Sequence, residues 1–154
     1  MRHQSGSIEV ITGSMFSGKT DELIRRLRRA KIAKQGVLVV KPSLDTRFSV
    51  DKVASHAGSE FEATPIQSPT EIDNLLTEEV TVLAVDEAQF FDGSICGVVQ
   101  TLADQGRRVI VAGLDTDFRL AATSASISTC VCAPPNPKYN RLFAIVCEGT
   151  AWKL

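Results

Sequence analysis

The chain has little that would place it outside the ordinary class of soluble domains. A membrane-spanning helix needs an apolar run of about 18 residues. No apolar run in this sequence approaches that length, so no membrane-spanning helix is expected. The formal net charge is only −1, which predicts no general attraction to nucleic acid or to membranes. The first six residues lack the apolar stretch of a signal peptide, and a cytoplasmic location is expected.

Cysteine is also scarce. The four cysteines, in a chain expected to be cytoplasmic, are predicted to be thiols or metal ligands rather than disulfides. What is present is ordinary for a folded domain: 154 residues, 44% hydrophobic and 23% charged. This length and composition predict one compact domain with a real core.

The most informative segment is Gly13-Ser14-Met15-Phe16-Ser17-Gly18-Lys19-Thr20. It fills the phosphate-loop pattern of Gly, four residues, Gly-Lys, and Ser or Thr. The glycines let the backbone approach an anion closely, and successive N–H groups then face one concavity. Lys19 supplies a charge for the outer phosphates and Thr20 a hydroxyl for Mg²⁺.

The flanks of this segment favour a true phosphate loop over a Gly-Ser turn that matches by chance. Residues 8–12 form a β-branched run typical of a strand. Residues 21–35 have apolar side chains at helical spacing, and Gly36 is predicted to cap the helix. The positive end of this helix would face the phosphates.

Further apolar runs at 37–40, 82–85 and 109–112 are typical of buried parallel strands. Short helices are predicted over 69–76 and 95–105, with Gly106 ending the second. Residues 143–147 are a candidate late strand. The alternation predicts an α/β fold like that of the P-loop NTPases, a parallel sheet flanked by helices, with ligands at the carboxyl ends of the strands.

An acidic pair, Asp86 and Glu87, follows the third apolar strand. In a chain with a phosphate loop, Asp86 is placed to bind Mg²⁺, and Glu87 to accept a proton from a hydroxyl or a water. The alternative is an exposed acidic turn.

The first helix carries many basic residues. A solvated face with cations near the helix C-terminus is favoured over a nucleic-acid patch. The residues are Arg25, Arg26, Arg28, Arg29, Lys31 and Lys34.

Five motifs in this order resemble those of the zinc-containing type of thymidine kinase over residues 7–119. They are the phosphate loop, Lys41-Pro42 with Asp45-Thr46-Arg47, Ser55-His56-Ala57-Gly58, Asp86-Glu87-Ala88-Gln89-Phe90-Phe91, and Gly113-Leu114-Asp115-Thr116-Asp117-Phe118-Arg119. The resemblance implies transfer of the γ-phosphate of ATP to the 5′-hydroxyl of thymidine, with Mg²⁺, in deoxynucleoside salvage. It also implies a homotetramer.

The resemblance implies a role for each matching residue. Residues 13–20, Asp86 and Gln89 would bind ATP, Thr20 and Asp86 would bind Mg²⁺, and Glu87 would be the general base. The nucleoside would contact Met15, Asp45, Arg47, Phe90, Leu114 and Phe118. Soft and aromatic walls suit a flat methylated ring. The alternatives are plain core positions for Phe90, Leu114 and Phe118, a surface ion pair for Arg47, and a structural role for His56.

The resemblance fails after residue 119. Leu120 stands where the family has Gly, and Cys130-Val131-Cys132 has one-residue spacing with a single later Cys147. A tetrahedral zinc site needs four ligands, so Zn²⁺ bound by these three cysteines would lack one. Cys96 is predicted to be a buried thiol. The expected division is a kinase core over 1–119 and, over 120–154, a divergent segment in place of the family's zinc and lasso region.

The origin of the tail stays open between divergence, shortening and a change of reading frame. The leading functional hypothesis is thymidine kinase. One alternative is an ATP-binding protein without turnover because the lasso is missing. Another is a different phosphate-loop ATPase in which Glu87 activates water.

Overall fold

The computed structural model describes residues 6–13, 17–43, 52–54, 60–114, 140–147 and 150–153. The elements in chain order are β1 Ser7–Gly13, α1 Lys19–Ile32, β2 Gly36–Pro42, β3 Lys52–Ala54, β4 Glu60–Glu62, β5 Thr64–Ile66, a 3-10 helix Pro69–Glu71, α2 Ile72–Leu75, β6 Val80–Val85, a second 3-10 helix Ala88–Phe90, α3 Ser94–Asp104, β7 Arg108–Leu114, β8 Asn140–Cys147 and β9 Thr150–Lys153.

The main sheet has the strand order β5-β2-β6-β7-β1-β8-β9. Strand β1 is parallel to both β7 and β8, and β6 is parallel to both β2 and β7. The edge strand β9 runs antiparallel to β8, and β3 and β4 form a separate antiparallel pair. The predicted parallel α/β sheet is confirmed. The carboxyl ends of β1, β2, β6 and β7 therefore meet at one edge.

Helices cover both faces of this sheet. On one face, Leu23, Ile24 and Leu27 of α1 pack with strand residues that include Ile11 and Ile110. On the other face, α3 and α2 pack against alternate residues of the same strands, including Val10 and Val109. Because both faces are buried, the strands read as continuous apolar runs rather than alternating ones.

The two longer helices end in different ways. Gly106 follows α3 with a φ of 88°, as predicted for a helix-ending glycine. The prediction that Gly36 caps α1 is wrong. Lys34 takes the left-handed conformation there, with a φ of 56°. Gly36 instead begins β2, where a Cβ would lie 1.9 Å from the carbonyl oxygen of Glu79, so close backbone approach is the reason for glycine.

Charged side chains tie α1 to the centre of the sheet. Glu9 of β1 is 4% exposed. Its carboxylate accepts hydrogen bonds from Arg108 Nε at 2.5 Å, from Arg108 Nη2 at 3.0 Å and from Arg26 Nη1 at 2.5 Å. Arg26 Nε also donates to Glu22 at 2.7 Å, and Glu22 pairs with Arg25 at 2.6 Å. Part of the basic face of α1 is therefore engaged within the chain.

These arginines set the ionisation of Glu9. Burial raises the pKa of Glu9, but the hydrogen bonds and charges of Arg108 and Arg26 outweigh it, so the pKa is lowered overall. A carboxyl whose pKa is lower in the folded state stabilises the fold above its unfolded pKa, about 4.3. That stabilisation is lost as the pH falls through the folded value.

We expect Glu9→Gln to lower the free energy of unfolding at pH 7 by about 3 kcal/mol, because the partly buried guanidinium of Arg108 loses the carboxylate of Glu9 and Arg26 keeps only that of Glu22. Denaturant unfolding between pH 3 and 7 is the measurement. The deficit should shrink as the pH falls below about 4.3, because the unfolded chain takes up a proton there while the folded carboxyl of Glu9 does so only at a lower pH. Glu78→Gln, at an exposed position, is the matched control. An equal loss in both variants would contradict the role of the network.

Candidate active site

The predicted phosphate loop joins the end of β1 to the start of α1. Strand β1 ends at Gly13, and Lys19 is the first residue of the helix; Ser14, Met15 and Phe16 lie outside the described residues. Gly18 is the N-cap, with a φ of 87° that favours glycine, and no side chain caps the helix. Gly18 itself brings no side-chain acceptor to the first N–H groups of α1, and a helix N-terminus that begins with glycine suits a bound anion.

Two hydroxyl groups bracket this loop. Thr12 Oγ1 and Ser17 Oγ are buried and have no hydrogen-bond partner among the described residues. Buried polar atoms are normally hydrogen-bonded. A polar ligand or ordered water at the loop would satisfy both. The residues present thus fit a phosphate group.

The acidic pair stands at the same edge of the sheet. Asp86 follows β6 and is 8% exposed. Its N–H donates to the carbonyl of Val40 at 3.0 Å, and its Oδ1 accepts from the N–H of Glu87 at 2.9 Å. The alternative of an exposed acidic turn is therefore wrong for Asp86.

Glu87 has an unusual backbone. Its φ of 50° and ψ of 40° are left-handed, a conformation that costs about 1 kcal/mol or more for a residue with a Cβ. It turns the chain out of β6 into the 3-10 helix Ala88–Phe90. Strained residues of this kind occur at functional sites.

Gln89 links Glu87 to the neighbouring strand. Its Nε2 donates to Oε2 of Glu87, and its Oε1 accepts from the N–H of Leu114 at 3.1 Å. Leu114 is in register with Gly13 across the β1–β7 pair. A short path of bonded neighbours thus leads from the phosphate loop through β7 to the carboxylate of Glu87.

Strand spacing sets the width of the site. Strand β7 lies between β1 and β6, so the ends of these two strands are about 10 Å apart, twice the usual spacing of about 4.8 Å. This separation leaves room for phosphate groups between the loop and the acidic pair.

The oxygen atoms between the phosphate loop and the acidic pair are of the kind that binds Mg²⁺. No group of three or more His, Cys, Asp or Glu that could hold a metal was found in the described part of the chain. Mg²⁺ typically takes one or two protein oxygens and completes its shell with phosphates and water. The hydroxyl of Thr20 and the carboxylate of Asp86 are hard oxygen donors of that kind.

The proposed nucleoside residues are only partly described. Phe90 is 49% exposed, so the alternative that it is a plain core residue is wrong, and Leu114 is half-buried at the end of β7. Met15, Asp45, Arg47 and Phe118 lie outside the described residues.

The cysteine predictions have a similar outcome. Cys130 and Cys132 also lie outside the described residues, and Cys147 ends β8. Cys96 of α3 is disulfide-bonded, so the prediction of a thiol is wrong.

Lys41 belongs to one of the five motifs, but the sequence predicted no functional role for it. It is 4% exposed near the carboxyl end of β2. Since Val39 packs on the α1 face and side chains alternate along a strand, Lys41 lies on that same face, towards the helix of the phosphate loop. The sequence signal that could have indicated this buried lysine is its position directly after the apolar run 37–40.

The strand, phosphate loop and flanked parallel sheet define a P-loop NTPase-like protein. The fold is similar to that of the ATPase DotB of Legionella pneumophila, with 17% identity and a TM-score of 0.53. The similarity covers 92% of this chain and 41% of that protein. The chain therefore spans less than half the length of DotB, and the likeness concerns the fold.

The family is narrower than the fold. The thymidine kinase family model matches residues 6–133, which is most of the chain, and the chain belongs to the thymidine kinase family. The match runs past residue 119 to include Cys130 and Cys132. None of the helices in the described ranges is long and apolar enough to cross a membrane.

Proposed function

We propose that this protein transfers the γ-phosphate of ATP to the 5′-hydroxyl of thymidine. One observation carries the proposal within this family: Gly13 of the phosphate loop and the carboxylate of Glu87 are connected through Leu114 and Gln89 at one edge of the sheet. A donor site and a proton acceptor held at a fixed distance are what phosphoryl transfer requires, because catalysis rests on positioning and charge stabilisation.

The chain's own residues divide the work. The N–H groups at the start of α1 hold the phosphates, and Lys19 offsets the charge on the transferred phosphoryl group. Glu87 accepts the proton of the 5′-hydroxyl as that oxygen bonds to the γ-phosphorus and the bond to ADP breaks. Mg²⁺ on Thr20 and Asp86 would neutralise phosphate charge.

The exposed ring of Phe90, with half-buried Leu114, is proposed as part of the wall for thymine. Phe90 follows Gln89 directly, so the base would lie beside the catalytic carboxylate. Apolar contact with a ring and its methyl group offers selectivity of about 1–3 kcal/mol per methyl. Met15, Phe118 and the pair Asp45 and Arg47 are proposed to complete the nucleoside side.

The test uses the full chain with ATP, Mg²⁺ and thymidine. Equal amounts of ADP and thymidine 5′-monophosphate are expected. 5′-Deoxythymidine, which lacks the accepting hydroxyl, is the matched control and should yield no phosphorylated product. ADP released at the same rate without a nucleoside would instead identify an ATPase in which Glu87 activates water.

A second candidate is an ATP-binding protein without turnover. It is favoured by Leu120 and by the one-residue spacing of Cys130 and Cys132, which depart from the family pattern. Tight ATP binding with no thymidine binding in calorimetry would support it. Zinc content and molar mass, measured on the same sample, test zinc binding by Cys130, Cys132 and Cys147 and the homotetramer that the family implies.

A further inference from the structure

We infer that Gln89 is a positioning residue that holds the carboxylate of Glu87 for proton transfer. This inference rests on the proposed function. It is carried by the two hydrogen bonds of the Gln89 amide, one to Oε2 of Glu87 and one from the N–H of Leu114.

The orientation of the amide follows from its partners. A backbone N–H can only donate, so the atom of Gln89 that faces Leu114 must be the oxygen. The NH₂ group then faces Glu87 and can only donate to it. The main chain of β7 thereby fixes which end of Gln89 meets the carboxylate, and this end suits a carboxylate that accepts.

This anchor acts on Glu87, a residue at a sharp turn of the chain. It lies between the end of β6 and a 3-10 helix of three residues, in a left-handed conformation. The bond from Gln89 connects it to β7, a central strand, and so restricts its position relative to Gly13.

The same bonds restrict what else the amide can do. Its oxygen faces Leu114 and cannot donate to an anion. Of the two N–H donors of its NH₂ group, one is directed to Glu87, so at most one remains for a phosphate. The inferred role of Gln89 lies on the acceptor side of the reaction.

Two substitutions at Gln89 separate the roles. Gln89→Met keeps the shape and removes both hydrogen bonds. Gln89→Glu keeps an acceptor for Leu114 but places a second carboxylate against Glu87. We expect kcat to fall about 10²-fold in Gln89→Met, the cost of a misplaced reacting group, and further in Gln89→Glu. The KM for ATP should change less than about twofold, because the bonds that are lost hold the acceptor-side carboxylate.

The order of the two variants is diagnostic. If Gln89 acted only through its bond with the N–H of Leu114 in β7, Gln89→Glu would keep that bond and would be the milder of the two changes. A smaller loss of kcat in Gln89→Glu than in Gln89→Met would therefore overturn the inference. A weaker ATP affinity in Gln89→Met with unchanged kcat would overturn it as well. Gln35→Glu adds the same charge at an exposed position near the opposite edge of the sheet and should leave kcat unchanged.

A stability measurement tests the contact without any turnover. At pH 8, Gln89→Glu should lower Tm by about 2–4 °C in the native background, the shift of about 1 kcal/mol in a chain of this size. In the Glu87→Gln background the reversed pair can bond again, so the same change should cost nothing. Equal losses in both backgrounds would overturn the inference. A coupled loss in a protein that makes no thymidine monophosphate would instead reject the proposed function and leave the contact standing.

Discussion

Glu87→Gln is expected to lower the turnover of thymidine phosphorylation by about 10²–10⁴-fold, the usual worth of a positioned general base. Glutamine has the same length and branching, so the turn out of β6 and the packing of the 3-10 helix should persist. What is lost is the ability to take the proton from the 5′-hydroxyl. Steady-state kinetics with ATP and thymidine measure the loss.

Measuring ATP binding to Glu87→Gln separates a loss of catalysis from a loss of ATP affinity. The affinity for ATP should change little in Glu87→Gln, because the proposed phosphate contacts are the loop and Lys19 rather than Glu87. Glu71→Gln is not a suitable control, since Glu71 accepts hydrogen bonds from the N–H groups of Gln67 and Ser68. Glu62→Gln, at an exposed position on β4, removes the same charge and should keep native turnover. Near-native turnover in Glu87→Gln would reject Glu87 as the base.

Lys19→Ala is expected to weaken ATP binding and to lower kcat/KM by about 10²–10³-fold, the scale of losing one group that stabilises charge in a transition state. Lys19 begins α1 directly after Gly18, and its ammonium and the N–H groups of the first turn are proposed to bind the same phosphates. The expected signature is a loss for ATP and a smaller change for thymidine in separate calorimetric titrations.

Arg29→Ala is the matched control for Lys19→Ala. Arg29 is exposed in the last turn of the same helix, so its removal changes the net charge equally and leaves the loop alone. Unfolding curves for both variants check that α1 is intact. If Lys19→Ala binds ATP as the native protein does, the phosphate-loop assignment is wrong.

Much of this fold was predictable because its signals are local. The apolar runs at 37–40, 82–85 and 109–112 predict strands, since a strand buried on both faces needs apolar side chains at every position. The phosphate loop is equally local, because its glycines, lysine and hydroxyl act within one turn of backbone. The misplaced helix cap has a non-local cause. Gly36 is required by the carbonyl of Glu79, more than forty residues away in sequence, which no pattern around Gly36 reveals.

By itself, the sequence determined that the chain is an α/β protein with a phosphate loop, followed by an acidic pair at the end of a buried strand. Only the tertiary structure decided how these parts meet. Strand order places β7 between the loop and the acidic pair, the register sets Leu114 beside Gly13, and Gln89 reaches from Leu114 to Glu87. Glu9 likewise meets Arg108 only across two adjacent strands. The reason is physical: a strand's apolar character depends on its own residues, whereas a hydrogen bond between distant residues depends on which strands become neighbours and in what register.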